Sequence, residues 1–277
     1  MPFLFPKQNY IQLKDNYLAK PNFMIHNFAK NRINAFFLHL IFSAFIVFCF
    51  TLSTILIWYP DYLMSLTGAK TIFLMIIGID VCLGPILTLI IFNKTKKKLA
   101  SDLAIIFIIQ LSALAYGMYT VTIARPVYIV FAVDRFELVQ ANEISTENLK
   151  KAKEEKFKHL PTFKLKWVSA KRPSDKKEKE KLLFESIETG LDLAQLPKYY
   201  QSYSQAIPQI IEKSIPLSSL ERFNQHKLQE VKKTLSKYKD YKKYRYLPLA
   251  GKKTSLTVII DTKSGAVIEV INLNPWS

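Results

Sequence analysis

Three apolar runs within 90 residues constrain this chain more than any other feature. Ala35 to Tyr59 has 25 residues, no formal charge and one histidine, His39. Thr71 to Phe92 has 22 residues and one charge, Asp80. Leu103 to Ile123 has 21 residues, with Gln110 as its strongest polar group. Crossing a hydrocarbon core takes about 20 apolar residues at roughly 1.5 Å rise each, so each run is a membrane-span candidate. The first is too long for the h-region of a cleaved signal peptide and too far from the start, and no small-residue cleavage pattern follows it. It reads as an uncleaved anchor with an aromatic interfacial ending, Trp58-Tyr59-Pro60. Residues 1–23 show no clear periodic element, and Met24 is an alternative start.

Charge is segregated along the chain. Residues 1–123 carry 10 basic and 4 acidic side chains, and residues 124–277 carry 29 and 18. The expected organisation is an N-terminal cytoplasmic segment (1–32), a three-helix transmembrane region (33–123) and a periplasmic α+β domain (124–277). The fold class is thus an α-helical membrane part plus a C-terminal α+β extracytoplasmic domain. Five basic residues precede the first run, one lies in the next loop and four in the loop after that. Basic loops mark the cytoplasmic side, so the N-terminus is expected inside and the domain outside. That side disfavours nucleic acid as a partner and leaves the lipid bilayer as an obligatory one. Lys150–Lys158 and Lys176–Lys181 interleave with glutamates and read as solvated helix faces. Both cysteines, Cys49 and Cys82, lie in spans and read as buried filler, so no disulfide framework is expected.

Within the domain, Val127–Val133 and Phe136–Ala141 read as two strands reversing at Asp134-Arg135. Thr146 to about Lys158 is helix-prone. Thr162–Ser169 alternates as a half-buried strand with Phe163, Leu165 and Trp167 inward. A helix is expected from Asp175 to Thr189, stopped by Gly190. Leu191–Ser204 is assigned only as loop. Ser218 and Glu221 match a capping box opening a helix to about Tyr238. Ser255–Asp261 and Ala266–Ile271 form a hairpin turned at Gly265.

The second run raises a question of chemistry. It contains Gly78-Ile-Asp80-Val-Cys-Leu-Gly84-Pro85, a carboxylate with two glycines and a proline at mid-span. An unpaired carboxylate there costs about 2.5–3.5 kcal/mol. Proline clashes with the carbonyl four residues back, that of Val81, and predicts a bend, while Gly78 and Gly84 admit a neighbouring helix. Three roles stay open: a packing group bonded to Gln110, His39, Thr88 or a serine; a docking group for another protein's helix; a proton or ion relay. No phosphate-binding loop, nucleophile elbow or zinc spacing is present in the sequence. His159 and His226 read as solvated surface, and Asp134-Arg135 as a plain turn.

Several segments together carry a resemblance. Trp58-Tyr-Pro60 ends the first run, Asp80-Val-Cys-Leu-Gly-Pro-Ile-Leu-Thr-Leu89 lies in the second, and Arg125-Pro126-Val-Tyr-Ile-Val-Phe-Ala-Val-Asp134-Arg135-Phe136 follows the third. Tyr246-Leu-Pro-Leu249 and Asn274-Pro-Trp276 complete the pattern. From about Met24 to Trp276 the chain resembles the TfpX/TfpZ family of type IV pilin accessory proteins, also labelled fimbrial assembly protein FimB. The resemblance implies a non-enzymatic inner-membrane protein that assists assembly of a cognate type IV pilin. It implies no cofactor or metal, and admits other pilus assembly proteins as partners. It also suggests that Asp80, Gly84 and Pro85 dock the apolar helix of pilin while the periplasmic domain engages its head. The rival readings are a membrane sensor and a proton-coupled membrane protein using Asp80.

Overall fold

A computed structural model describes residues 9–59, 62–93, 95–238 and 243–276, with side chains from Asn31 onward. Pro60, Asp61, Lys94 and residues 1–8, on which part of the motif and of the loop-charge count rests, lie outside the described residues. The chain divides into two compact units. One comprises Met1–Thr51 with Phe73–Met118, the other Leu52–Ile72 with Tyr119–Ser277.

The first unit is helical. Helix α1 runs from Asn9 to Ile57, so the N-terminal segment is helical much earlier than its lack of periodicity suggests. Once a span is wound, each further residue adds one bond for one residue fixed, and no amphipathic stripe is needed. Helix α2 (Leu63–Thr67) belongs to the other unit. Helices α3 (Ala69–Ile77) and α4 (Gly84–Ile91) flank a π-helical turn, and α5 covers Leu99–Ile123. Asn31–Ile57, Ala69–Ile91 and Leu99–Ile123 are each long and apolar enough to cross a membrane. Their outer faces show Phe37, Leu38, Phe45, Ile90, Phe107 and Ile108 exposed, as suits helices solvated by acyl chains. Cys49 and Cys82 are also exposed, not buried as expected.

The second unit is built on one mixed sheet of eight strands. Strands β1 (Pro126–Ala132), β2 (Arg135–Gln140), β3 (Lys166–Ala170) and β4 (Tyr200–Ser202) form one half. Strands β5 (Ile215–Pro216), β6 (Tyr244–Ala250), β7 (Ser255–Asp261) and β8 (Val267–Ile271) form the other. The order is β4-β3-β1-β2-β6-β7-β8, with β5 on β6. The β1–β3 and β2–β6 pairs are parallel and the rest antiparallel. Every residue of β1 is buried, because the sheet is covered on both faces. Tyr128, Val130 and Ala132 face one core, and Ile129 and Phe131 the other. That second core includes Leu63 and Leu66 of α2, both fully buried. The segment read as a loop between spans therefore supplies part of the domain's interior.

Local signals placed several elements correctly. Helix α7 (Lys176–Thr189) is capped by Asp175, whose side chain accepts from Glu178 N at 2.9 Å, and ends on Gly190 at φ 71°. The β7–β8 turn uses Gly265 at φ 66°, with Asp261 accepting from the backbone N–H groups of Lys263 and Ser264. Other expectations are corrected. The β1–β2 turn is Val133-Asp134, because Arg135 already pairs with Ala132. Helix α6 covers only Thr146–Lys150, since burial of Ala152 and Phe157 pulls the chain onto the β1 core. Strand β3 starts at Lys166, where pairing with β1 begins, and leaves Phe163 69% exposed.

Leu191–Ser204 is not mere loop but two short 3₁₀ turns leading into β4. After α8 (Ile207–Lys213), Ser218 makes no side-chain cap, and the expected long helix breaks into α9 (Ser219–Phe223) and α10 (Leu228–Leu235). The break is Asn224, whose side chain is occupied elsewhere: it donates to Asn274 O at 2.9 Å and accepts from Asn274 N at 2.9 Å. With Tyr246 OH donating to Pro275 O at 3.1 Å, this ties the C-terminal Asn274-Pro275 segment to β6. Strand β6 has no obvious sequence signal because it contains Pro248. The proline falls between the β5 ladder at Arg245 and Tyr246 and the β2 ladder at Leu249 and Ala250, where a missing donor is tolerated.

Candidate functional site

The Gly78–Leu83 segment forms a π-helical turn in the middle of the second span. Gly84 N–H bonds to Ile79 O, five residues back, and backbone angles on both sides stay helical. An α-helix would press the Pro85 ring against the carbonyl of Val81. The wider turn inserts a residue into the register, which relieves that contact and absorbs the missing proline donor. The bend predicted at Gly84-Pro85 is thus realised as a π turn that carries Asp80 in its wall.

Gly84 is required by a neighbour. A Cβ built on it would lie 1.9 Å from Gln110 Nε2 of α5. Gly78 has no such role, since nothing lies within 4 Å of its would-be Cβ and it is exposed. The second close approach between these helices is made instead by Gly117, whose Cβ would meet Ile76 at 2.6 Å. Asp80, Gly84 and Pro85 are all buried. They pack the helices and present no outer surface.

Asp80 does not make the bonds a packing group was expected to make. Gln110 Nε2 donates to its backbone carbonyl at 3.2 Å, not to its carboxylate. His39 Nδ1 and Thr88 Oγ1 pair with each other at 2.6 Å. Asp80 Oδ2 and Gln110 Oε1 are buried and meet no hydrogen-bond partner among the described residues. A cavity of about 60 Å³ lies beside them, lined also by His39, Ser43, Phe42 and Phe107. A shallower groove of about 480 Å³ lies nearby, lined by Leu38, Phe42, Phe92, Leu103 and Phe107, with His39 and Thr88 polar. Among the described residues no cluster of three His, Cys, Asp or Glu side chains is placed to hold a metal.

The second predicted group of residues splits. Arg125-Pro126 and Asp134-Arg135 stand at opposite ends of β1 and do not form one site. Arg135 pairs with Glu137 at 3.0 Å, while Asp134 is exposed. Burial raises the Glu137 carboxyl above the usual carboxylate range, and Arg135 works against it. Arg125 instead joins Trp58 and Tyr59. Its guanidinium donates to Thr122 O at 2.9 Å and Pro161 O at 3.5 Å, and lies 5.9 Å from the Trp58 ring centre. Trp58 Nε1 donates to Thr162 O at 2.7 Å, and Tyr59 OH to the carbonyls of Val121 and Ala124. Two motifs 65 residues apart therefore make one collar where helix ends enter the domain. Sequence reading noted both motifs and missed their contact, which no local pattern encodes.

Three apolar spans, one with a buried carboxyl at a π turn, continue into an α+β domain. The fold thus defines a multi-pass membrane protein with a folded C-terminal domain. The chain belongs to the family of fimbrial assembly proteins. It is 30% identical over 224 residues to the fimbrial assembly protein of serogroup I of Dichelobacter nodosus, across 79% of this chain and 86% of that one. The serogroup E1 protein of the same organism matches with the same identity and coverage. The protein of serogroups C1 and C2 is 41% identical over 98 residues, 35% of this chain and 75% of that one. No family model matches the chain, and no solved structure matches it.

Proposed function

We propose that this protein is a non-enzymatic accessory factor of pilus assembly, seated in the inner membrane with its α+β domain in the periplasm, and that its partner is a type IV pilin. The observation that carries this reading is the relationship to fimbrial assembly proteins over most of both chains. The loop charges support the orientation, since basic residues flank the first span on one side and precede the third on the same side. The pilin's apolar helix occupies the groove lined by Leu38, Phe42, Leu103 and Phe107, which is apolar, open and within the spans. Asp80, Gly84 and Pro85 act on that groove through the helix that follows the π turn. They set the register of α4, which places Thr88, and Phe92 just past its end, in the groove wall.

The test is in-cell photo-crosslinking from Leu38 and Phe107, compared with Ile79 and Leu83 beside the π turn. A dominant pilin adduct from the first pair is expected. The docking reading fails if all four positions crosslink only to this protein's own helices. The assembly role itself fails if deletion of the protein leaves pilus number unchanged. A second reading, proton-coupled use of Asp80, is favoured by the unpartnered Oδ2 beside a small cavity. It requires a pH-dependent activity that Asp80→Asn abolishes.

A further inference from the structure

A second cavity lies wholly within the domain unit and has no part in the reading above. It measures about 450 Å³ and is lined by residues between Glu155 and Lys166. Its position relative to the membrane follows from the collar. Trp58 is the first residue after the candidate span Asn31–Ile57. Its indole donates to Thr162 O, and Arg125 donates to the neighbouring Pro161 O. Pro161 and Thr162 both line the cavity. The cavity rim is thus tied to the level at which the span leaves hydrocarbon, the level that tryptophan prefers.

The lining chemistry is asymmetric. Glu155 is held by Lys158 at 2.6 Å, and Lys156 by Glu154 at 2.7 Å. That leaves Lys164 and Lys166, both exposed and without an ion pair among the described residues, together with exposed His159. Phe163, in the same lining, is 69% exposed. In water the two exposed ammonium groups are well hydrated, and only the phenylalanine ring leaves apolar surface unsatisfied. At a bilayer surface the ring enters the acyl boundary while the lysines reach phosphate.

We propose that Lys164, Lys166 and His159, with Phe163, form a binding site for the phosphodiester headgroup of an anionic phospholipid in the leaflet that Trp58 meets. Continuity with the span and the aromatic side chain favour a lipid over an acidic protein surface.

The test uses the full chain in detergent, offered phosphatidylglycerol and phosphatidylcholine in equal amounts, with retained lipid counted by native mass spectrometry. Preferential retention of phosphatidylglycerol is expected. Each surface lysine is worth about fivefold, so Lys164→Gln with Lys166→Gln lowers retention about 25-fold at low salt. Lys176→Gln with Lys177→Gln, the same charge change on α7, leaves it unchanged. Phe163→Ser lowers lipid retention, and excess inorganic phosphate fails to displace the lipid. Equal retention of the two lipids overturns the proposal, as does an equal loss in the α7 control. Displacement by phosphate with no effect of Phe163→Ser overturns it in favour of a free-anion site. Loss of a co-purifying acidic protein with lipid retention intact overturns it in favour of a protein contact. Circular dichroism of each variant confirms folding, and both lysines are exposed, so loss of fold is not an expected outcome.

Discussion

Asn224 and Asp80 are buried to the same degree, 3% and 4% exposed, in the two different units of this protein. Asn224 uses its whole amide: it donates to Leu220 O and Asn274 O and accepts from Asn274 N. Asp80 Oδ2 has no partner among the described residues, and the neighbouring amide of Gln110 spends its donor on the Asp80 backbone. Thr257 and Tyr246 of the domain follow Asn224, donating to Leu273 O and Pro275 O. A fully matched buried group is a structural tie whose removal exposes its partners. An unmatched one is a standing cost, and its persistence calls for an explanation other than stability.

The comparison is sharpest at high pH. Tyr128, Tyr203 and Tyr246 donate their hydroxyl protons to the carbonyls of His159, Gly265 and Pro275. Burial pushes each phenol up to about 12. The unfolded chain ionises near 10, so these groups favour the folded state fully below pH 10. That contribution is lost as pH rises through about 12, at about 1.4 kcal/mol per pH unit per tyrosine. The tyrosinate absorbance of these three side chains, taken as the difference from their Tyr→Phe variants, should therefore rise together with loss of domain structure, not ahead of it. Gradual ionisation of these three with the domain intact would break the claim that their hydroxyls are ties.

Asn224→Ala should cost the domain about 2–4 kcal/mol, since it strands Asn274 N and O beside β6; thermal unfolding in detergent measures it. Asp80→Asn should do the opposite and stabilise the spans by about 1–2 kcal/mol, by removing an unpaired carboxylate from a buried site. The same variant should lower pilus number if the carboxylate serves function. Destabilisation by Asp80→Asn would place Asp80 with Asn224 and erase the contrast. The smallest effect is expected at Val133, a β-branched residue at φ 62° in the β1–β2 turn. Val133→Gly should raise domain stability by about 0.5–1 kcal/mol, the relief of a left-handed valine less the entropy of glycine.

Much of the architecture is legible without coordinates where the signal is local and strong. The spans need only length and apolarity, so their ends are placed within a few residues. Asp175 and Gly190 bracket α7 because a cap and a left-handed stop act within one turn. The candidate site was legible in composition, as a carboxylate, a proline and two glycines at mid-span. Its geometry was not. Whether Gly84 or Gly78 meets α5 depends on helix rotation about its axis, and a uniformly apolar span carries no stripe to reveal that rotation. The π turn and the unpartnered Oδ2 follow from the same packing. A buried packing role for Asp80, Gly84 and Pro85 can therefore be told from an exposed docking face only by the assembled helices.

Sequence by itself determined that this chain has three apolar spans and a charged α+β domain, because hydrophobic transfer and local turn chemistry depend on residues near one another. Tertiary structure alone decided that Leu63 and Leu66 belong to the domain core, that Pro248 sits inside a strand, and that Trp58 and Tyr59 meet the segment around Arg125. Those outcomes rest on contacts between residues far apart in sequence. Such contacts repay their loop-closure entropy only when the sheet, its two cores and the helix ends form together.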